Sequence, residues 1–373
     1  MFNFKSCIYL DNAATSRFKP RAVIRAIEKE LKRPANPGRG GHKESINSAR
    51  HVEDCREQVE SLTFNGNVVF TKSCTEALNL AIFGTYNGGE IITSLYEHNS
   101  VLRPIEKLKR EGAKVTYIST KSNVITPDDL KRKITKHTSL VVLGEMSNVT
   151  GQIQPISALG SLLKEYGIPF CVDTAQSLGH LNTDYKDVDM VASAGHKGLH
   201  GAQGTGFLAF KNQVSIRPLL YGGTGTDGSN LNQPLTPPEG QEAGTLNTAG
   251  IRGLKEGIKW TKRHFETINY NVKYLSEYII DELKKIDAVR LYSPYPNGVI
   301  SFNIGDMPST EVADVLDQKY SICVRAGLHC APLMHKRLGT LNQGAVRASV
   351  GYNNTESDAV TFIKAIKEIA TYN

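Results

Sequence analysis

The sequence predicts an α/β protein, with a large, doubly wound and mostly parallel sheet followed by a smaller α+β unit. Three observations predict it. Between about residues 65 and 210, apolar strand-like runs alternate with helical periods, as consecutive strand–helix units do. Residues 211–245 break that pattern with a Gly-, Pro- and Asn-rich stretch. Beyond residue 253, a long helical period gives way to short strands and helices.

Taken in order, residues 68–70 read as a strand followed by a helix over 75–83, and 90–93 as a strand followed by a helix near His98. Strand 115–118 precedes a helix over 128–135, and strand 140–144 precedes one over 159–166. Residues 169–173 and 190–193 are further buried strands. Ligands of such sheets collect at the carboxyl ends of the strands. The 211–245 stretch is a long loop, of the kind that is usually functional or disordered. A helix over 253–285 follows, then strands 289–291, 298–302, 321–325 and 344–349, with helices at 311–317 and 356–370. The expected domains are 15–250 for the large unit, and 1–14 with 251–373 for the small one.

Composition excludes several classes. At 40% hydrophobic and 22% charged residues, the chain is an ordinary globular one. Its net charge of +7 is spread over short clusters such as 107–110 and 131–133. These fall on amphipathic helical stretches and read as solvated faces, not as a nucleic-acid surface. No segment reaches the roughly 20 apolar residues a membrane span needs, and residues 1–7 lack the apolar run of a signal peptide. The six cysteines (7, 55, 74, 171, 323 and 330) contain no CxxC pair. That speaks against a metal site and a disulfide framework, and for free thiols in a cytoplasmic protein.

Two side chains at expected strand ends open the chemistry. Asp173 closes the run 169–173, and Lys197 follows the strand ending near Ser193. Adjacent strand ends aim both into one crevice, although any α/β enzyme places Asp and Lys so. Ser73-Cys74-Thr75-Glu76 follows a strand and opens a helix. Its backbone N–H groups (that of Cys74 included) and the Thr75 hydroxyl suit a phosphate, and a plain helix cap suits the segment equally well. Ser193 and His196 flank the lysine and offer further donors. A lysine for an imine, a carboxylate for a pyridine nitrogen and a phosphate cradle are what a pyridoxal 5'-phosphate enzyme requires.

The motifs then converge. Tyr9-Leu10-Asp11-Asn12-Ala13-Ala14-Thr15, Thr75-Glu76-Ala77-Leu78-Asn79, Glu97-His98-Asn99-Ser100, Ser147-Asn148-Val149-Thr150-Gly151, Asp173-Thr174-Ala175-Gln176-Ser177, Gly195-His196-Lys197 and Arg325-Ala326-Gly327-Leu328-His329-Cys330-Ala331 occur in that order. With them the chain resembles the cysteine desulfurase/selenocysteine lyase family of the class V aminotransferase fold, over residues from about 8 to 370. Its short cysteine segment resembles the second group of desulfurases.

The resemblance implies the fold-type-I architecture of pyridoxal-phosphate transferases. It implies that Lys197 bonds the cofactor, Asp173 pairs with the ring nitrogen, Gln176 bonds the phenolic oxygen, and His98 stacks on the ring. Thr75, Ser193 and His196 would hold the phosphate. Thr245, in Glu242-Ala243-Gly244-Thr245, would reach the phosphate of a neighbouring subunit in a homodimer. Asn148, Arg325 and Arg347 fall to substrate binding, and His42 to the substrate entrance. Arg347 lies in an otherwise apolar strand, where the alternative is an ion pair with a structural carboxylate.

Of the cysteines, Cys171 and Cys323 sit within strands, and Cys7 and Cys55 read as peripheral. Cys330, in a loop after a strand and next to His329, suits either a surface thiol or a reactive one. The resemblance selects the second. Cys330 becomes the nucleophile that takes sulfur from L-cysteine as a persulfide and releases L-alanine, with a sulfur-acceptor protein as a possible partner. The alternatives are a selenocysteine lyase or another class V lyase or aminotransferase.

Overall fold

The computed structural model describes residues 7–38, 40–226 and 228–371. It opens with strand β1 (Ile8–Tyr9) and helices α1 (Arg21–Lys32) and α2 (Lys43–Glu60). The strand–helix alternation then runs β2 (Asn67–Thr71), α3 (Cys74–Thr85), β3 (Glu90–Ser94), α4 (Asn99–Arg110), β4 (Lys114–Ile118), α5 (Pro127–Lys131) and β5 (Thr138–Gly144). It continues through α6 (Ile156–Tyr166), β6 (Phe170–Asp173), β7 (Met190–Ala194) and β8 (Gly206–Phe210).

Strands β2 to β8 form one sheet in the order β2-β8-β7-β6-β5-β3-β4. Every adjacent pair from β7 to β4 is parallel, and β8 runs antiparallel to both its neighbours. Side chains alternate between two cores. Val68, Phe70, Val141 and Leu143 point to one, and Val69, Leu140 and Val142 to the other. A sheet apolar on both faces must be covered on both. Helices α1 and α2 pack on α7 (Thr248–Arg263), which begins the second half of the chain.

After α7 come α8 (Phe265–Leu283), β9 (Val289–Leu291), β10 (Val299–Ile304), α9 (Ser309–Tyr320), β11 (Ile322–Cys323) and β12 (Arg325–Gly327). The last elements are α10 (Pro332–Leu338), β13 (Ala345–Ser349) and α11 (Glu356–Ala370). Strands β12-β13-β10-β9 form an antiparallel sheet, while β11 pairs parallel with β1. Leu10 joins Leu275, Phe302, Val346 and Phe362 in the core of this part.

The expected strands and their parallel order are present, and the 211–245 loop carries no strand or helix among its described residues. Several details differ. The helix expected over 253–285 is two, broken at His264, whose backbone is non-helical (φ −110°, ψ 13°). There the ring nitrogen Nδ1 lies 2.8 Å from the Trp260 carbonyl, competing with the helical ladder. The strand expected at 321–325 is two short strands in different sheets. Cys55 is not peripheral: it faces the main core from α2 and is fully buried, which pushes its thiol up to about 12.

Candidate active site

The carboxyl ends of the parallel strands converge on a cleft of about 720 Å³, lined by residues that include Ser73, Thr75, His98, Asn148, Asp173 and Lys197. They come from five strand ends, Ser73 and Thr75 sharing that of β2, so the sheet itself sets their spacing. Cys74, Gln176 and His196 also line it.

Lys197 lies in the turn after β7 and enters no ion pair among the described residues. Burial lowers its pKa, against the opposing pull of the Asp173 carboxylate. Asp173 ends β6. Its Oδ1 accepts from the Ala175 N–H at 2.9 Å and the Cys74 thiol at 3.5 Å, leaving Oδ2 without a protein donor among the described residues. The Cys74 side chain is thus engaged as well as its backbone, and burial raises its thiol far above the ordinary value.

The start of α3 is built for an anion. Ser73 caps the helix, its Oγ accepting from the Glu76 N–H at 3.2 Å. The Thr75 hydroxyl lies 2.7 Å from that of Ser100, another cleft residue. Strand β8 approaches this turn so closely that a Cβ on Gly206 would sit 2.5 Å from the Ser73 carbonyl carbon and 2.8 Å from the Cys74 nitrogen. Glycine is what lets the helix start reach the cleft. His196 Nδ1 is buried without a partner, and burial pushes the ring down to about 4. First-turn N–H groups, an unmatched ring nitrogen and a lysine without a carboxylate partner fit a phosphate-bearing aldehyde cofactor.

His98 caps α4, its Nδ1 accepting from the Ser100 N–H at 3.0 Å. Burial lowers it to about 4, so the ring is neutral near pH 7. Gln176 is oriented by its Nε2, which donates to the Ala13 carbonyl at 3.0 Å.

The cysteine loop is tied to the cleft through Asn148, although Cys330, Arg325 and Arg347 are not among the residues that line it. Its carbonyls are tied down: Asn99 N–H donates to Cys330 O at 2.7 Å, and Asn148 Nδ2 donates to His329 O at 2.7 Å. Both residues of the loop have positive φ, 48° at His329 and 57° at Cys330, a strained region for side chains other than glycine. Arg325 Nη2 lies 3.7 Å from the Cys330 sulfur.

Arg325 and Arg347 are direct partners across β12 and β13. Like charges facing each other across a sheet are unfavourable. Arg347, 1% exposed, answers this with a 3.1 Å ion pair to Asp11 and a 3.1 Å bond to the Asn148 carbonyl. Its Nε has no partner. The structural ion pair is therefore present, while Arg325 has no carboxylate partner among the described residues.

Ser193 and His42 are placed elsewhere, and Thr245, expected to serve a neighbouring subunit, lies outside this cleft. Ser193 does not line the cleft; strand alternation turns it away, and its Oγ meets the Thr174 carbonyl at 3.5 Å. Ala194 takes the cleft-facing position. His42 is an exposed cap of α2, accepting from the Ser45 N–H at 3.3 Å, and lines neither this cleft nor its rim among the described residues. Thr245 is exposed and lines a separate hollow with Thr205 and Asn247. Nearby Glu242 is fixed by both guanidinium nitrogens of Arg56, at 2.8 and 2.7 Å.

Among the cleft residues to which sequence reasoning gave no role, Glu97 is the one with a carboxyl group. Glu97 is 2% exposed and accepts from Ser94 Oγ at 2.5 Å and the Gly144 N–H at 2.7 Å. Burial raises it to about 8 from an ordinary 4.5. The folded state thus disfavours its ionisation. The associated stability is complete below about pH 4.5 and drains away as pH rises toward 8. Glu97→Gln will therefore gain on the parent by a few kcal/mol between pH 5 and 8. Thermal unfolding of both proteins at the two pH values measures this, and an equal offset at both rules the account out.

Comparison with known proteins agrees with this geometry. The aminotransferase class-V family model matches residues 8–362. A probable cysteine desulfurase of Pyrococcus abyssi is 36% identical, with 97% of this chain and 94% of that protein covered. One from Methanothermobacter thermautotrophicus is 33% identical over the same shares. The solved apo structure of a cysteine desulfurase from Thermococcus onnurineus NA1 superposes with a TM-score of 0.91 at 34% identity, covering 98% of this chain and 95% of that one. Fold, strand-end cleft and full-length similarity lead to one assignment: the chain belongs to the class V aminotransferases, a family of pyridoxal phosphate enzymes, and within them to the cysteine desulfurases.

Proposed function

We propose that this protein is a pyridoxal-phosphate-dependent cysteine desulfurase that removes the sulfur of L-cysteine, leaving L-alanine, with Cys330 as the sulfur acceptor. The observation that supports the reading is the cysteine loop: its His329 carbonyl is hydrogen-bonded to Asn148 of the cofactor cleft, its Cys330 carbonyl to Asn99 beside the cleft residue His98, and a guanidinium stands at its thiol. Pyridoxal phosphate, when bound, supplies an electron sink for the substrate α-carbon.

The chain's own residues do the rest. The start of α3, with Thr75 and His196, would hold the phosphate, and Asp173 Oδ2 would be the acceptor for the ring nitrogen. The neutral ring of His98 would stack on the cofactor, and Gln176 would bond the phenolic oxygen. Arg347 and Arg325, with Asn148, receive the substrate carboxylate, which supplies the anion that Asp11 alone does not. Lys197 Nζ, lowered in pKa by its burial, moves the α-proton. Cys330 Sγ then forms the S–S bond to the substrate sulfur as the C–S bond breaks, its electron pair staying with the carbon skeleton that leaves as alanine. Thr245, outside its own chain's cleft, serves the partner subunit of a homodimer, and a sulfur-acceptor protein discharges Cys330.

Incubation of the cofactor-loaded protein with L-cysteine and a reductant is expected to give alanine and sulfide in equal amounts. Pyruvate with ammonia, or turnover that requires a keto acid, would overturn the proposal.

A further inference from the structure

Behind Cys330 lies a buried polar chain that the reaction does not use directly. His329 Nδ1 is 3.2 Å from His335 Nε2, and His335 Nδ1 is 2.8 Å from Thr340 Oγ1. All three residues are 2% exposed or less. Burial keeps both imidazoles neutral, lowering His335 to about 4 and His329 further. Two neutral rings bond when one facing nitrogen carries a proton and the other does not; because the Thr340 hydroxyl can donate to or accept from His335 Nδ1, either ring can be the donor.

The chain ends on structure, not on solvent. Thr340 N–H donates to the His335 carbonyl at 2.9 Å, and Gly344 N–H donates to the Thr340 carbonyl at 2.8 Å, just before β13 begins. At its other end, the His329 carbonyl takes the Asn148 amide at 2.7 Å, and the Asn148 carbonyl takes Arg347. His329 therefore links α10 to the substrate end of the cleft, and the neighbouring Cys330 shares its strained, left-handed backbone.

We propose that His335 is a positioning residue for the sulfur-transfer step: through His329 it holds the 329–330 backbone in its left-handed form, and so holds the Cys330 thiol beside Arg325. The inference rests on Cys330 being the sulfur acceptor. Left-handed backbone at two consecutive non-glycine residues costs on the order of 1–3 kcal/mol each and persists only where surrounding contacts fix it. The imidazole pair acts on this segment through the His329 side chain, whereas Asn99 and Asn148 act on its carbonyls.

Three readouts test it. In His335→Phe, which keeps a ring and loses both hydrogen bonds, iodoacetamide labelling of Cys330, followed by peptide mass spectrometry at fixed pH, should change rate by about tenfold or more. Turnover of L-cysteine should fall by a similar factor at unchanged KM and an unchanged cofactor absorption band. His335→Gln, whose amide can meet the His329 nitrogen, should recover most of both. If His335→Phe does not fold, Thr340→Val removes the far partner and should give a smaller change in the same readouts. Labelling of Cys330 at the parent rate in folded His335→Phe overturns the proposal, as does equal loss in the Phe and Gln variants. Labelling needs no catalysis, so a parent protein that fails to make alanine leaves this outcome readable and counts only against the desulfurase reading.

Discussion

Replacing Cys330 by alanine will reduce alanine formation from L-cysteine by about 10³-fold or more, the loss typical of removing a nucleophile, while the cofactor's absorption band stays in place. The structure explains why no other thiol can substitute. Cys74 is the cysteine that lines the cleft, and its sulfur is held against Asp173 with its proton made hard to remove by burial. Cys171 is sealed in β6 and Cys55 in the core under α2. Since Cys330 sits at φ 57°, serine is the better-matched second variant, and it should be equally inactive. Activity of Cys330→Ala within threefold of the parent would dismiss the persulfide route. Retained turnover of selenocysteine alone would move the assignment to a selenocysteine lyase, because selenium leaves more readily without a thiol to receive it.

The second large effect is at Lys197. Lys197→Ala will lose the band near about 420 nm expected of a protein-bound pyridoxal imine, and with it turnover by about 10³-fold or more. The cofactor-free variant should unfold at the same temperature as the cofactor-free parent or higher. Lys197 is buried without a salt-bridge partner, and removing a poorly compensated amine relieves a desolvation cost. A variant that loses both the band and its thermal stability would show that Lys197 supports the fold instead. A variant that keeps the band and full turnover would remove Lys197 from the chemistry.

The parallel sheet was legible because its strands are buried on both faces and therefore continuous in their apolar character. β8 carries the same signal in Gly206-Phe207-Leu208-Ala209-Phe210, but its antiparallel direction depends on a short connection that no local pattern encodes. α2 hid for the opposite reason. Its buried stripe includes Ser45, Ser48 and Arg56 beside Val52, Cys55 and Val59, so its apolar period is faint. At the site, residues fixed by strand ends were readable: Asp173, Lys197, His98 and Thr75 meet as expected. What was not readable depends on side-chain direction or distant pairing. Ser193 and Ala194 differ only in which face of β7 they occupy, Arg347 meets Asp11 across 336 positions, and the burial of Glu97 comes from the end of β5.

The pairing of β1 with β11 ties Ile8 to Ile322 and Tyr9 to Cys323, two residues before the strand that carries Arg325. Contacts of such sequence separation form late, since loop closure must precede them. During synthesis, the thiol's surroundings cannot be assembled until β13 has followed and the beginning of the chain has been captured. A growing polypeptide would thus bind its cofactor cleft together well before it could arm the sulfur-accepting loop. If Cys330 is the sulfur acceptor proposed above, production of a reactive persulfide is in this way deferred to the finished molecule.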